Sequence, residues 1–327
     1  MRQWLKKMLP ALAAAVLLFS AAAGEDSPGK AEWHFDEKGF LTGENPGKAW
    51  LLEDAKNGVW EYSSRILSVR VRRFMEKAGQ AKRVYCVAEV YASERSQLYP
   101  ILYPQVNDDP APGCHKERAE SLAEDYPAVV AISDDYYGHR YQTRKNGATW
   151  PVGIIIRNRK ILFSDTRDSS DKAEFPPLDT MAAYPDGSLK VFASDEKTAE
   201  EFLAEGATNV FAFGPWLIRN GKVNESNAVG DHATYSTLRY SSSGRVVIGM
   251  VEPFHYILIV VGRPDREKYV GADGAWLVAK LQEYGCVEAF NLDGGGTSCM
   301  AFNGKVIIRG DNSKRPLTGF IAFGNLE

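Results

Sequence analysis

The sequence predicts an α+β fold: a largely antiparallel β-sheet assembly with a few covering helices and one strand–helix–strand crossover near the C-terminus. Three observations predict it. Short β-branched and aromatic runs recur along the chain, bounded by charge, Gly or Pro. Several are joined by tight-turn signals, most clearly Asn220-Gly221 and Asn303-Gly304. Only two stretches combine helical periodicity with start and stop residues.

The elements follow in order. In GVWEYSSRILSVRVRRF the residues alternate after Ile66, with Leu67, Val69 and Val71 on one side and Ser68, Arg70 and Arg72 on the other. That pattern reads as a strand with a solvated basic face. RVYCVAEVYAS, Arg83 to Ser93, is a second strand, and Tyr103 to Gly113 is a loop by its Pro and Asp content. An apolar strand begins at Tyr126 and ends in the acids and aromatics Asp134, Asp135, Tyr136 and Tyr137. Val152 to Phe163 reads as a hairpin turning near Arg157-Asn158. FAFGPWLIRNGKVN turns at Asn220-Gly221, GRVVIGMVEPFHYILIVVGR at Glu252-Pro253, and CMAFNGKVIIRG at Asn303-Gly304. GFIAFG closes the chain.

The first helix opens on a capping box, Thr198 with Glu201 three residues on, and stops at Gly206. The second lies in GADGAWLVAKLQEYGC, where Leu277, Leu281 and Tyr284 share a face and Gly285 ends it. It stands between two strands, an order that permits a local parallel crossover.

The 327 residues, 44% hydrophobic and 25% charged, have ordinary globular composition. The net charge of −3, without a Lys/Arg run beyond the N-terminus, gives no basis for a nucleic-acid partner. Residues 1–23 predict a signal peptide. Arg2, Lys6 and Lys7 precede an apolar run from Leu9 to Phe19, and small residues continue to Ala23. The run is shorter than the roughly 20 residues of a membrane span, so no transmembrane anchor is expected after cleavage. Removing those three positive charges takes the net charge from −3 to −6. Residues 24–125 then form a β-rich region packed on a main domain at 126–327, and a secreted or cell-envelope location is expected. Cys86, Cys114, Cys286 and Cys299 allow three full pairings, and buried free thiols fit equally well. The sequence leaves the oligomeric state open.

The stretch NLDGGGTSCM, Asn291 to Met300, carries the strongest chemical signal. A strand delivers Asp293 to a bend at Gly294, Gly295 and Gly296, and Thr297 and Ser298 add hydroxyls. Consecutive glycines let a ligand approach the backbone and turn N–H groups toward an anion. The stretch has neither the Gly-Lys-Ser/Thr of a P-loop nor the Gly-x-Ser-x-Gly of a nucleophile elbow. On residues alone, a tight structural turn explains it as well as a site does.

The ordered set ISDDYY, FGPWLI, RVVIG, IVVGR, GADGAWLVAKLQEYG and NLDGGGTS resembles the phosphodiester glycosidase family over about the last 200 residues. Ser133-Asp134-Asp135 stands where that family often carries Asn-Gly, and Thr297 where Ser is common. The resemblance implies an extracellular hydrolase that acts on a sugar-1-phosphodiester of the N-acetylglucosamine-phosphate type, in cell-surface glycans. An oxocarbenium-like transition state wants a carboxylate, and a phosphate wants the planar fork of arginine. Asp293 is the expected first carboxylate, with Asp134 or Asp135 as the second. Arg245 and Arg263 are the expected phosphate clamps, and His255 orients water or binds phosphate. Asn291, Gly294, Gly295, Gly296, Thr297 and Ser298 complete the expected pocket. A structural Arg263–Asp293 pair and a core role for His255 are the bland alternatives. Paired carboxylates also admit a divalent cation such as Ca²⁺, although no closed ligand spacing establishes one. Two other functions fit the same scaffold: a polysaccharide-binding module that uses Tyr136, Tyr137 and Trp216, and a phosphodiesterase that cuts P–O.

Overall fold

The computed structural model describes residues 32–102, 117–135, 142–143, 149–150, 153–165, 178–194, 196–225, 243–265, 267–312 and 315–325. The expected signal peptide, the 103–113 loop, Cys114, Tyr136 and Tyr137 lie outside the described residues.

In chain order the first strands are β1 (Trp50–Asp54), β2 (Val59–Ser63), β3 (Leu67–Ala78), β4 (Ala81–Ala92) and β5 (Tyr99–Leu102). Helix α1 (Ala119–Asp125) and β6 (Ala128–Ser133) follow, then β7 (Gln142–Thr143), β8 (Thr149–Trp150), β9 (Gly153–Arg157) and β10 (Lys160–Asp165). Next come β11 (Asp179–Ala183), β12 (Leu189–Phe192), helix α2 (Ala199–Ala204), β13 (Asn209–Phe213), β14 (Trp216–Arg219) and β15 (Lys222–Val223). The last part holds β16 (Arg245–Glu252), β17 (His255–Gly262), helix α3 (Gly274–Glu283), β18 (Glu288–Asn291), β19 (Cys299–Phe302), β20 (Lys305–Arg309) and β21 (Gly319–Asn325).

Three sheets share one core. The largest has nine strands in the order β1-β2-β3-β4-β17-β16-β18-β14-β15. Two five-stranded sheets run β10-β9-β13-β11-β12 and β20-β19-β6-β21-β5. The N-terminal strands are hydrogen-bonded directly into the large sheet through the β4–β17 pairing, from Tyr91↔His255 to Val84↔Gly262. Strands β17 and β18 both pair antiparallel with β16, which lies between them.

Val69, Val71, Ala88, Val246, Ile248 and Val260 of the large sheet face Ile132, Met300, Phe302 and Phe323 of the third sheet and Phe211 of the second. The outer face of the large sheet is closed by α3, where Leu277 and Leu281 meet Val247, Ile257 and Ile259. Both faces of β16 and β17 are therefore covered, which explains their continuous rather than alternating hydrophobic runs. Phe202 of α2 covers Ile156 and Val210, and Leu122 of α1 covers Ala131 and Phe320.

The local signals are realised where their geometry is self-contained. Asn220 and Gly221 have φ of 50° and 73°, and Asn303 and Gly304 have φ of 49° and 72°, as a two-residue hairpin turn requires. Thr198 and Glu201 form the reciprocal capping box. Within FAFGPWLIR the chain leaves the second sheet with β13 and enters the large sheet with β14, and the Asn220-Gly221 turn then joins β14 to β15. One sequence expectation needs correction: the basic face of β3 is not solvated. Ser68 and Arg72 are buried, Arg72 pairs with Glu61 at 2.6 Å, and Gly39 of the N-terminal segment lies against Ser68 and Arg70.

Cys86, Cys286 and Cys299 are free and buried. Burial pushes the Cys86 and Cys299 thiols up to about 12 and raises Cys286 as well, so the reactive thiolate is scarce at pH 8. Alkylation at pH 8 followed by peptide mapping should label these three only after unfolding. Rapid labelling of any of them in the native protein would contradict this packing.

Candidate active site

The site grows from a place where backbones meet. The start of β16, the end of β17, the end of β20 and the loop after β18 converge at one end of the molecule. Gly295 N donates to Gly244 O at 2.9 Å, Gly310 N to Ser298 O at 2.6 Å, and Arg263 N to Gly310 O at 2.5 Å. There is no room for side chains between these segments. A Cβ on Gly294 would lie 2.7 Å from Gly244 O, one on Gly310 1.8 Å from Gly295 O, and one on Gly244 2.9 Å from Gly310 Cα. Gly294 is thus committed to chain-on-chain packing rather than to ligand approach. Gly295 has open space where its Cβ would be and a φ of 68°, and Gly296 is buried within the 3-10 turn Gly295–Thr297.

This junction fixes Asp293, which is 7% exposed. Its amide donates to Asp134 O at 3.3 Å. One carboxylate oxygen accepts from Gly294 N at 2.8 Å, and the other accepts from the Thr297 hydroxyl at 2.6 Å. The same hydroxyl lies 2.8 Å from Gly294 O. The threonine therefore locks both the carboxylate and the turn that carries it.

Arg245 opens β16 and is buried. Its Nε donates to Ala272 O at 2.9 Å, just before α3. Burial pushes the guanidinium down to about 10, and Asp273 and Asp293 push it back up. It therefore keeps its charge at neutral pH, and both carboxylates favour that charge. Asp273 is also the N-cap of α3, accepting from Trp276 N at 2.9 Å. The sequence expectation missed Asp273, although an Asp-Gly step ahead of an apolar-periodic run signals a helix start.

The other expected residues fall into place differently. Asp134 is buried beside Gly319, its Oδ2 2.7 Å from where a Cβ there would sit. Asp135 is engaged elsewhere: Arg157 Nη2 reaches it at 2.8 Å and Ala212 N at 2.9 Å, tying β6 to the second sheet. Arg263 is half-buried at the junction, with Nε on Tyr269 O at 2.9 Å. Asn291 donates to Gly214 O at 2.7 Å and so pins the β13–β14 corner. Asn291 Oδ1 and Ser298 Oγ are buried without a hydrogen-bond partner among the described residues.

His255 is the clear correction. It pairs with Glu252 at one end of the β16–β17 hairpin, whereas Arg245 pairs with Val261 at the other. That separation is about 20 Å along the strand. His255 instead stacks on Tyr91 and bonds Glu89 at 3.0 Å. Among the described residues no cluster of three or more His, Cys, Asp or Glu could hold a metal ion.

Fold and site together define a protein of antiparallel sheets with a buried arginine–aspartate centre at the strand ends. The family model for phosphodiester glycosidase matches residues 126–323, and the chain belongs to that family. It is 28% identical over 193 residues to the SPbeta prophage-derived uncharacterized protein YomE of Bacillus subtilis (strain 168), covering 59% of this chain and 27% of that protein. The chain thus spans about a quarter of the length of that relative. The fold is similar to the zebrafish N-acetylglucosamine-1-phosphodiester alpha-N-acetylglucosaminidase catalytic domain auto-inhibited by its pro-peptide. That likeness has a TM-score of 0.56 at 18% identity and covers 86% of this chain and 90% of the other. A hypothetical protein from Synechocystis gives a TM-score of 0.51 at 13% identity, covering 90% and 72%.

The junction makes a graded prediction. Gly310→Ala should cost more than about 3 kcal/mol or prevent folding, because its methyl would enter a carbonyl oxygen. Gly295→Ala should cost only about 1–2 kcal/mol, the penalty of a positive φ in open space. Thermal unfolding measures both; the reverse order would contradict the packing described.

Proposed function

We propose that this chain is an exported hydrolase that cleaves a sugar-1-phosphodiester at the anomeric C–O bond. The observation that carries the proposal is the fixed Asp293 carboxylate on a loop beside a buried, charged Arg245, in a chain of the phosphodiester glycosidase family. The leaving phosphate monoester needs little protonation, so the barrier lies in the cationic character at the anomeric carbon. Asp293 supplies the opposing charge as nucleophile or electrostatic partner, with its orientation set in advance by Gly294 N and Thr297. Arg245 meets the phosphate oxygens with a planar fork, and its burial strengthens that attraction. Arg263, at the same junction with Nε on Tyr269 O, is the second cation of the proposed phosphate site. Asp134, whose carbonyl receives the Asp293 amide, is the second carboxylate and the candidate to activate water. Asp135 supports the site through Arg157. The substrate class is an N-acetylglucosamine-phosphate-like linkage in cell-surface or extracellular glycans, and residues 1–23 direct export and are removed on translocation.

Three outcomes test this on purified mature protein with a panel of sugar-1-phosphodiesters. Asp293→Asn should keep the thermal midpoint within a few degrees yet lose roughly three orders of magnitude in turnover. Near-normal turnover in a folded Asp293→Asn protein would reduce the loop to a structural turn. In ¹⁸O-water the label should enter the sugar, and label in the phosphate would establish P–O cleavage instead. Arg245→Lys keeps the charge but not the planar fork, so the protein should fold and its KM should rise about tenfold or more. A folded Arg245→Lys protein with wild-type KM would remove Arg245 from the phosphate.

A further inference from the structure

The family match begins at residue 126, yet a side chain from well before it reaches toward the site. Arg83, near the start of β4, is buried. Its Nε donates to Gly271 O at 2.8 Å, across 188 residues of sequence. Its Nη1 pairs with Glu76 of β3 at 2.8 Å. Glu76 Oε1 also accepts from Trp276 Nε1 at 3.0 Å, and the Arg83 guanidinium lies 4.6 Å from the Trp276 ring centroid.

The segment that Arg83 holds is the one that holds Arg245. Ala272 O, one peptide beyond Gly271, accepts Arg245 Nε at 2.9 Å. Asp273, the next residue, flanks the same guanidinium and caps α3 at Trp276. On its other side this segment presses on Ser243: Ala272 N donates to Ser243 O, and a Cβ on Gly271 would lie 1.7 Å from that oxygen. Backbone bonds from Lys82 N to Lys268 O at 3.0 Å and from Val270 N to Lys82 O at 2.9 Å complete the seam.

We propose that Arg83 is a positioning residue for the phosphate clamp: through Gly271 O it sets the Ala272–Asp273 peptide, and thereby the direction of the Arg245 guanidinium. The proposal rests on the functional reading above, and it makes the β3–β4 hairpin part of the active machinery although that hairpin lies outside the matched residues. Arg72, a buried arginine of the same sheet, serves for comparison: it pairs with Glu61 at 2.6 Å and donates to Val71 O.

The test compares Arg83→Met, Arg83→Lys, Arg245→Lys, the Arg83→Met/Arg245→Lys double variant and the control Arg72→Met. Thermal midpoint, kcat and KM on a sugar-1-phosphodiester, and the Kd of inorganic phosphate by calorimetry are measured for each. Arg83→Met should raise KM and the phosphate Kd about tenfold with kcat changed far less, since positional contributions of this kind are worth about one decade. Its effect should largely vanish in the Arg245→Lys background, which is the mark of action through Arg245. Arg83→Lys keeps one donor and should fall between, and it carries the test if Arg83→Met does not fold. Arg72→Met should lower the thermal midpoint and leave KM and Kd alone. An Arg83 variant that loses stability but keeps wild-type KM and phosphate Kd would overturn the proposal, as would full additivity with Arg245→Lys. If the wild type hydrolyses no phosphodiester but binds phosphate, the functional reading fails and the Kd series still decides this point. A wild type that binds no phosphate would overturn the clamp and this inference together.

Discussion

Everything at the site depends on how closely three backbone segments approach at Gly244, Gly294 and Gly310. Glycine is costly in ordered structure because it gives up more chain entropy than any other residue. Here the cost is offset by contact that no side chain would permit, with carbonyl oxygens standing where a Cβ would be. That contact sets the height of the Asp293 loop relative to β16. Thr297 then sets the rotation of the carboxylate. The Asp293 carboxylate is thus placed by steric exclusion first and by hydrogen bonding second.

The second constraint is the burial of Arg245. A buried charge without partners is expensive, and a buried pair is worth having only when its remaining donors are satisfied. Arg245 donates through Nε to a backbone carbonyl, and the charges of Asp273 and Asp293 favour its ionised form. The carbonyl belongs to the turn that starts α3, so the helix, the sheet and the Arg245 side chain are one mechanical unit. Because Arg83 grips the same turn, the unit extends into the N-terminal hairpin. The hydrogen-bonded unit around Arg245 therefore extends beyond the matched residues 126–323.

Much of this was legible in the sequence where a few adjacent residues decide the outcome. The Asn-Gly hairpins, the Thr198 capping box and the Gly285 stop depend only on local geometry, and each appears where its signal lies. The phosphodiester glycosidase motifs located Asp293 and Arg245 together. What the sequence did not show were partners distant along the chain. Asp134 and Asp135 are adjacent and chemically alike, yet Asp135 turns to Arg157 and Ala212 of another sheet, while the Asp134 backbone meets Asp293. His255 is only ten residues from Arg245, and a hairpin carries it to the far end. The charges of β3 looked solvated because the segment that covers them, around Gly39, has no periodicity of its own. Helix α1 escaped notice because it is seven residues long, too short to show a period.

The central claim is that Asp293 faces the anomeric carbon while Arg245 holds the phosphate. A crystal structure of the Asp293→Asn protein with a non-hydrolysable sugar-1-phosphonate tests it most directly. The account predicts the phosphonate oxygens within hydrogen-bond distance of the Arg245 guanidinium and the anomeric carbon within about 3.5 Å of the residue 293 side chain. A phosphonate bound elsewhere, or one whose phosphorus rather than carbon faces residue 293, would contradict it.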